Sequence, residues 1–523
     1  MSNTPRFSIH LALNAFNIPL NIELSEQEER DLVNDSRQVK AGDIFAATLG
    51  HLSDGRDYID QAIKSGAELI LIQCDDISLH GKIELRKVEK AQQTATDSET
   101  KKSQRTVTLV HFFELHKHLS RLASLYYLQA HNKLTTVGIT GTNGKTTTSQ
   151  IIAQLFEGCG KSCAVIGTVG AGKLNALTPL INTTPGPTEL NKLLNDFVND
   201  NISHVAMEIS SHALDQNRVS PSIIDVAVFT NLSRDHLDYH ETMEKYASAK
   251  EQIFTKDTAQ IAVLNGDDIC AQTWLKSWNT DSNVFVYGLT EAVKEHKCFV
   301  YANDIKHTSQ GVEFNLETYA GHIDISCVLM GDFNVSNLLA SIAVLLSQGY
   351  SLEKISKAIS ELKPIIGRME VISSANLPAS VIDYAHTPDA LESALKACRL
   401  HCEGELYVVF GCGGDRDNGK RPLMGAIAEQ YSDHVVITND NPRNESPTDI
   451  ADEILQGFKF PEKAKVILTR SEAVENTINT ATASDMILFA GKGHENYIVI
   501  GNEKLAYNER EFVQSIYAKK AML

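Results

Sequence analysis

The chain has 523 residues, 42% hydrophobic and 22% charged, which suggests about three domains and a water-soluble globular protein. Lys and Arg number 48 against 66 Asp and Glu, a net charge of -18; this argues against nucleic-acid binding and requires any anionic substrate to be held by local basic groups and backbone N–H groups. No run of about eighteen apolar residues marks a membrane span, the opening MSNTPRFSIHLALNAF lacks the layout of a signal peptide, and nine scattered cysteines without CxxC pairs suit reduced thiols in a cytoplasm.

In chain order, GDIFAATLG and AELILIQC read as strands flanking a helical YIDQAIKSG, a small N-terminal α/β domain over residues 1–133. Within it the stretch 82–105 is polar and reads as an exposed insertion. From Leu134 apolar strands (TTVGIT, CAVIGTVG, HVAMEIS, DVAVFTNL, IAVLNGDD) alternate with helical stretches. That pattern predicts a mostly parallel sheet covered on both faces, the central domain over 134–363. A second series (ASVIDYAH, ELYVVFGCGG, HVVITND, KVILTR, DMILFAGKG) predicts a Rossmann-like α/β domain over 364–523. Gly- and Asp-rich segments sit at the carboxyl ends of these strands, where ligands bind in such sheets.

VGITGTNGKTTTSQIIAQLF joins a strand to a helix through a Gly-rich turn. Gly141 and Gly144 let the backbone turn its N–H groups inward, and the helix directs its positive end at an anion. Lys145 reaches outer phosphates and the Thr146 hydroxyl suits Mg²⁺. Ile139 stands where the usual P-loop has its first Gly, so the loop is a variant of the theme. Glu208 ends one strand, and Asp235, His236, Asp238 and His240 follow another. Hard Mg²⁺ prefers oxygen ligands, which pairs Glu208 with Thr146. A carboxylate after a strand is otherwise a cap or ion-pair residue, and a lone histidine an ordinary surface group.

The motifs TGTNGKTTT, EISSH, TNLSRDHLDYH, GDFNVSN, GRME, DYAHTPD, GCGGDRDNGKRPLM, DNPR and GKGHE occur in an order that resembles the Mur ligases, from NDSR at Asn34 onward. The resemblance implies three α/β domains and an ATP-dependent amide ligase of peptidoglycan precursor synthesis; a cytoplasmic location and a monomeric state are expected. The γ-phosphoryl of ATP would pass to a substrate carboxylate, and an amine would displace phosphate from the acyl phosphate. Carried over residue by residue, the ATP site is Gly141, Thr142, Asn143, Gly144, Lys145, Thr146 and Thr147 with Asn337, Arg368 and Asp383. Lys145, His236, Lys250 and Arg368 form the catalytic set. Thr146, Glu208, His236 and a CO₂-carbamylated Lys250 would hold Mg²⁺; read without the resemblance, Lys250 is an exposed helical lysine and Asn337 sits near a helix start, where Asn is an ordinary cap.

The UDP-sugar substrate falls to Ser36, His51, Leu52, Ser53, Asn182, Thr183, Thr184, Ser210, Gln216 and Arg218. Arg218 is a bidentate clamp for a carboxylate. The amino-acid site is Arg416, Asp440, Asn441, Pro442, Arg443, Gly491 and Glu495. Arg443 in DNPR marks meso-diaminopimelate as the added amine, because its guanidinium matches the distal carboxylate that lysine lacks, while Glu495 suits the distal ammonium. The alternatives are the same ligase adding L-lysine, a simple kinase, and a nucleotide-binding regulatory protein without catalysis.

Overall fold

The computed structural model describes residues 8–22, 24, 30–50, 53–90, 103–254, 260–278, 283–308 and 311–521. The chain forms two compact units: Met1–Thr142 with Lys161–Val228 and Leu232–Ala262, and Asn143–Gly160 with Phe229–Asn231 and Val263–Leu523. Among the described residues no helix is long and apolar enough to cross a membrane.

The first unit opens with a five-stranded sheet in the order Leu32–Val33, Ile44–Ala47, Leu69–Cys74, Ser103–Phe113, Ile83–Lys90. Period-two alternation sends Leu69, Leu71, Val110 and Phe112 to one core with the helix Leu115–Tyr126, and Ile70, Val107 and Leu109 to another with Ala62 and Ile63. In the stretch 82–105 the described arms form an antiparallel ladder running from Ile83↔Val110 to Lys90↔Ser103, with residues 82–87 exposed. The polar composition reflects an edge strand with a wet face: Ile83 and Leu85 are exposed. Residues 91–102 lie outside the described residues.

The same unit carries Thr135–Thr140, His204–Glu208 and Cys163–Gly167 as parallel neighbours, extended antiparallel by Gly170–Lys173 and Ala176–Thr178. These are the buried apolar runs read from the sequence, and every residue of His204–Glu208 is buried.

In the second unit Val284–Gly288 pairs in parallel with Cys298–Thr308, which continues antiparallel through Gly311–Thr318 and Gly321–Cys327. The parallel strands expected for the central region therefore gain antiparallel neighbours that the sequence reading did not assign. A further sheet has the order Glu370–Ile372, Ala379–Asp383, Met486–Ala490, Leu406–Phe410, His434–Ile437, Ala464–Val466. All its neighbours are parallel except the first pair, so the loops after residues 383, 410, 437 and 490 emerge at one end.

Candidate functional site

The phosphate loop follows the strand Thr135–Thr140 and opens the helix Lys145–Gly158. Gly144 has φ +85°, and a Cβ there would overlap the Asn337 side-chain oxygen. Thr148 donates its hydroxyl to that oxygen at 3.3 Å, and Asn337 donates to Asn334 at 3.1 Å. Asn337 lies buried inside the helix Asp332–Ser347, whose cap position is Gly331, so it braces the loop and is not an N-cap. The Asn143 N–H donates to Asn231 at 2.9 Å and its carbonyl accepts from Thr230 at 2.6 Å. Thr146 and Thr147 are buried in the first helical turn.

On the first unit, Thr142 donates its hydroxyl to the Ser233 carbonyl and meets the Tyr246 hydroxyl, both at 3.2 Å. Lys250, on the helix Met243–Glu251, is 1% exposed. Its Nζ donates to the Gly141 carbonyl at 2.8 Å and lies 4.3 Å from the centre of the Tyr246 ring. Burial of Lys250 departs from the exposed lysine that its helical context alone suggests. Glu208, also 1% exposed, accepts from the Thr168 N–H at 2.9 Å and from its hydroxyl at 3.1 Å.

His236 is half exposed at φ +52°, 3.5 Å from Asp235 and with its ring 5.0 Å from His212. Burial, then the neighbouring His236 and His240, hold His212 below its usual range. No three His, Cys, Asp or Glu among the described residues form a metal cluster. Within the first unit the Glu208 carboxylate and the His236 imidazole are donors that fit a hard cation, whose remaining positions fall to phosphate and water oxygens.

A cavity of about 560 Å³ in the first unit is lined by Asn34, Ser36, Ser53, Asn182, Glu189 and Arg218 among others. It brings four of the expected UDP-substrate residues together. Thr183, Thr184, Ser210 and Gln216 do not line it. Thr184 and Ser210 bond one another and the Thr184 hydroxyl donates to the Glu208 carbonyl, Thr183 meets Thr168, and Gln216 accepts from Arg218 at 2.8 Å. His51 and Leu52 lie outside the described residues.

At the carboxyl end of the last sheet, Asp383 accepts from the Met369 and Ala385 N–H groups, each at 2.8 Å, and burial raises its carboxyl above the usual range. It thereby fixes the turn bearing Arg368, whose guanidinium lies 4.8 Å from the centre of the Tyr384 ring. The Arg368 Nε is buried without a hydrogen-bond partner among the described residues. Arg443 sits at φ +52° and donates to the Gly414 carbonyl at 2.8 Å. Its backbone is clasped by the hairpin of Tyr497–Ile500 and Glu503–Ala506: its N–H donates to Val499 and its carbonyl accepts from Gly501.

The Pro442 carbonyl packs on Gly414, and Gly491 has φ +107° against Asp440. Arg416 is exposed. Glu495 accepts from Asn441 at 2.9 Å and from Lys492 at 2.8 Å, so part of the carboxylate that the sequence reading set against a substrate ammonium already has partners. Two residues here had no assigned role in the sequence reading: Tyr246, and Lys492 inside GKGHE. Only the glycines flanking Lys492 signalled it.

Three models of successive domains match: "Mur ligase family, catalytic domain" over 32–127, "Mur ligase middle domain" over 139–345 and "Mur ligase, glutamate ligase domain" over 367–493. A UDP-N-acetylmuramoyl-L-alanyl-D-glutamate–2,6-diaminopimelate ligase of Vibrio cholerae is 42% identical over 92% of this chain and 92% of its own. A ligase of the same name from Haemophilus influenzae is 41% identical over 95% and 97%. A solved structure of a ligase of that name superposes with a TM-score of 0.67 at 32% identity, covering 96% of this chain and 98% of the other. A MurF ligase from Thermotoga maritima in complex with ADP shares the fold, with a TM-score of 0.60 at 19% identity, over 94% of this chain and 98% of its own. With a phosphate loop, a substrate-sized cleft and an Arg-bearing strand end on one three-domain α/β frame, the chain belongs to the Mur ligase family of ATP-dependent ligases.

Proposed function

We propose that this protein joins meso-2,6-diaminopimelate to the D-glutamate carboxylate of UDP-N-acetylmuramoyl-L-alanyl-D-glutamate, in the cytoplasm and as a monomer. The observation that carries the reading is identity above 40% across more than nine-tenths of the chain with relatives named for that reaction. Residues 1–133 and the cleft at Ser36, Ser53, Asn182 and Arg218 take the UDP-sugar, 134–363 takes ATP, and 364–523 takes the amino acid.

A carboxylate is a poor electrophile, and phosphorylation turns one of its oxygens into part of a leaving group. Positioning and charge neutralisation do most of this work. Lys145 and the loop N–H groups cradle the phosphates, with Arg368 adding positive charge. Thr146, Glu208, His236 and Lys250 as its carbamate would hold Mg²⁺, which would supply charge neutralisation at the phosphates. The Lys250 ammonium gives up one proton, the neutral amine adds to CO₂ and a second proton leaves, so that a cation becomes an oxygen donor. Asn337 and Asp383 support the ATP site through the loops they brace.

Arg443 selects diaminopimelate over lysine, since lysine leaves its guanidinium without a carboxylate. The test supplies ATP, Mg²⁺ and UDP-N-acetylmuramoyl-L-alanyl-D-glutamate with meso-diaminopimelate or L-lysine in parallel, reading phosphate release and product mass. Amide product with diaminopimelate alone is expected. Product with lysine would sink the specificity assignment, and product with neither would sink the ligase reading.

A further inference from the structure

One buried cation joins the two loops assigned above to the amino acid. Lys492 is 0% exposed, between Asp440 and Asn441, both nearly buried, and Glu495. Its Nζ has three N–H donors and three oxygens in reach: Asp440 Oδ1 at 3.2 Å, Asn441 Oδ1 at 3.1 Å and Glu495 Oε2 at 2.8 Å. Asn441 completes the lattice. Its Nδ2 donates to the same Glu495 oxygen at 2.9 Å, and its Oδ1 accepts from the Val499 N–H at 2.9 Å. The face of Tyr497 lies beyond, 5.8 Å from Nζ to the ring centre.

The charges do not balance. Two carboxylates meet one ammonium, so the cluster carries one net negative charge in a largely desolvated place. The nearby Arg443 guanidinium donates instead to the Gly414 and Asn441 carbonyls, and Arg470 is paired with Glu509. A structural salt bridge built for stability has no use for the surplus carboxylate. A site that receives an ammonium group does.

We propose that Lys492 is a positioning residue for the amine substrate: it clamps Asp440 and Glu495 side by side so that their one unmatched negative charge meets the ammonium of the incoming amino acid. This rests on reading the carboxyl-end loops as the amino-acid site. Without Lys492, two carboxylates face each other with only Asn441 between them, and the acceptor geometry opens.

The experiment measures KM for meso-diaminopimelate, ATP and the UDP-dipeptide in wild type, Lys492→Met, Asp440→Asn, the double variant and Arg443→Ala. Lys492→Met is expected to raise the amine KM on the order of 100-fold and to leave the other two within about twofold. In the Asp440→Asn background the same change is expected to cost distinctly less, because one carboxylate no longer lacks its cation. A lysine that only props up the fold would disturb all three KM values and show no such coupling, and that result overturns the proposal. If Lys492→Met does not fold, Lys492→Gln keeps a donor toward Glu495 without the charge and is expected to raise the amine KM in the same selective way; an unchanged amine KM overturns the proposal. An amine KM that responds to Arg443→Ala but not to either Lys492 variant overturns the Lys492 inference alone. One that ignores Arg443→Ala as well overturns the amino-acid site reading and this inference with it.

Discussion

The Nζ of Lys250 donates to the carbonyl oxygen of Gly141 at 2.8 Å, across 109 residues of sequence. A lysine in the last turn of a nine-residue helix is thereby buried against the entry to the phosphate loop, beneath which Tyr246 presents its ring. Burial raises the Tyr246 hydroxyl to about 12, so the phenol stays neutral at physiological pH and serves as a hydrogen-bonding partner of Thr142.

Lys250→Met is expected to lower ligase turnover by at least about 100-fold, the scale of losing one preorganised electrostatic group. Supplied with ¹³CO₂, the wild type is expected to show a carbamate carbon resonance that the variant lacks. Retention of full turnover by the variant would remove Lys250 from the catalytic set.

Gly144→Ala tests the loop itself. The backbone there has φ +85°, and the added methyl would collide with Asn337. A strained left-handed residue costs about 1–3 kcal/mol, to which the displaced Asn337 bracket adds. Thermal unfolding and ADP binding are both expected to weaken, whereas Gly160→Ala, at φ +80° with open space around it, should lower stability with little effect on nucleotide affinity.

Arg443→Asn keeps a residue tolerant of φ +52° while removing the guanidinium. The preference for diaminopimelate over lysine, as a ratio of kcat/KM, is expected to fall by about 2–5 kcal/mol, with the hairpin at Tyr497–Ile500 still docked through backbone contacts. An unaltered ratio would place the specificity elsewhere.

His204 and His494 are both pushed down to about 4, chiefly by burial, with Lys161 adding to the shift at His204 and Arg368 at His494. The unfolded chain takes up these protons near pH 6.5, the folded one only near 4, so folding stability falls as pH drops through that window and is steady above it. The denaturant midpoint is expected to decline between pH 7 and 5, and His204→Gln should flatten the decline measurably.

Much of the fold was legible because the signals are local. The apolar runs at Thr135–Thr140, His204–Glu208 and Met486–Ala490 are strands, and Gly-Lys-Thr does open a helix. The strands between Val284 and Cys327 were less legible, since Tyr, Asn and Glu alternate there with the apolar positions of a half-wet antiparallel ladder. The polar arms at Ile83–Lys90 and Ser103–Phe113 hid their pairing for the same reason.

The sequence by itself determined the chemical inventory: a turn whose glycines permit a phosphate loop, carboxylates and histidines after strand ends, an Arg in DNPR, and the order of the motifs. Backbone conformation at such places depends on residues a few positions away, which any window of sequence contains. Only the tertiary structure decided that Lys250 is buried, that Asn337 braces Gly144, that Asp383 is committed to the turn of Met369 and Ala385, and that Lys492 bridges Asp440 and Glu495. Desolvation and the choice of hydrogen-bond partner are set by groups from distant parts of the chain, 52 residues apart for Lys492 and Asp440 and 189 for Thr148 and Asn337, and no local pattern encodes which of them will meet.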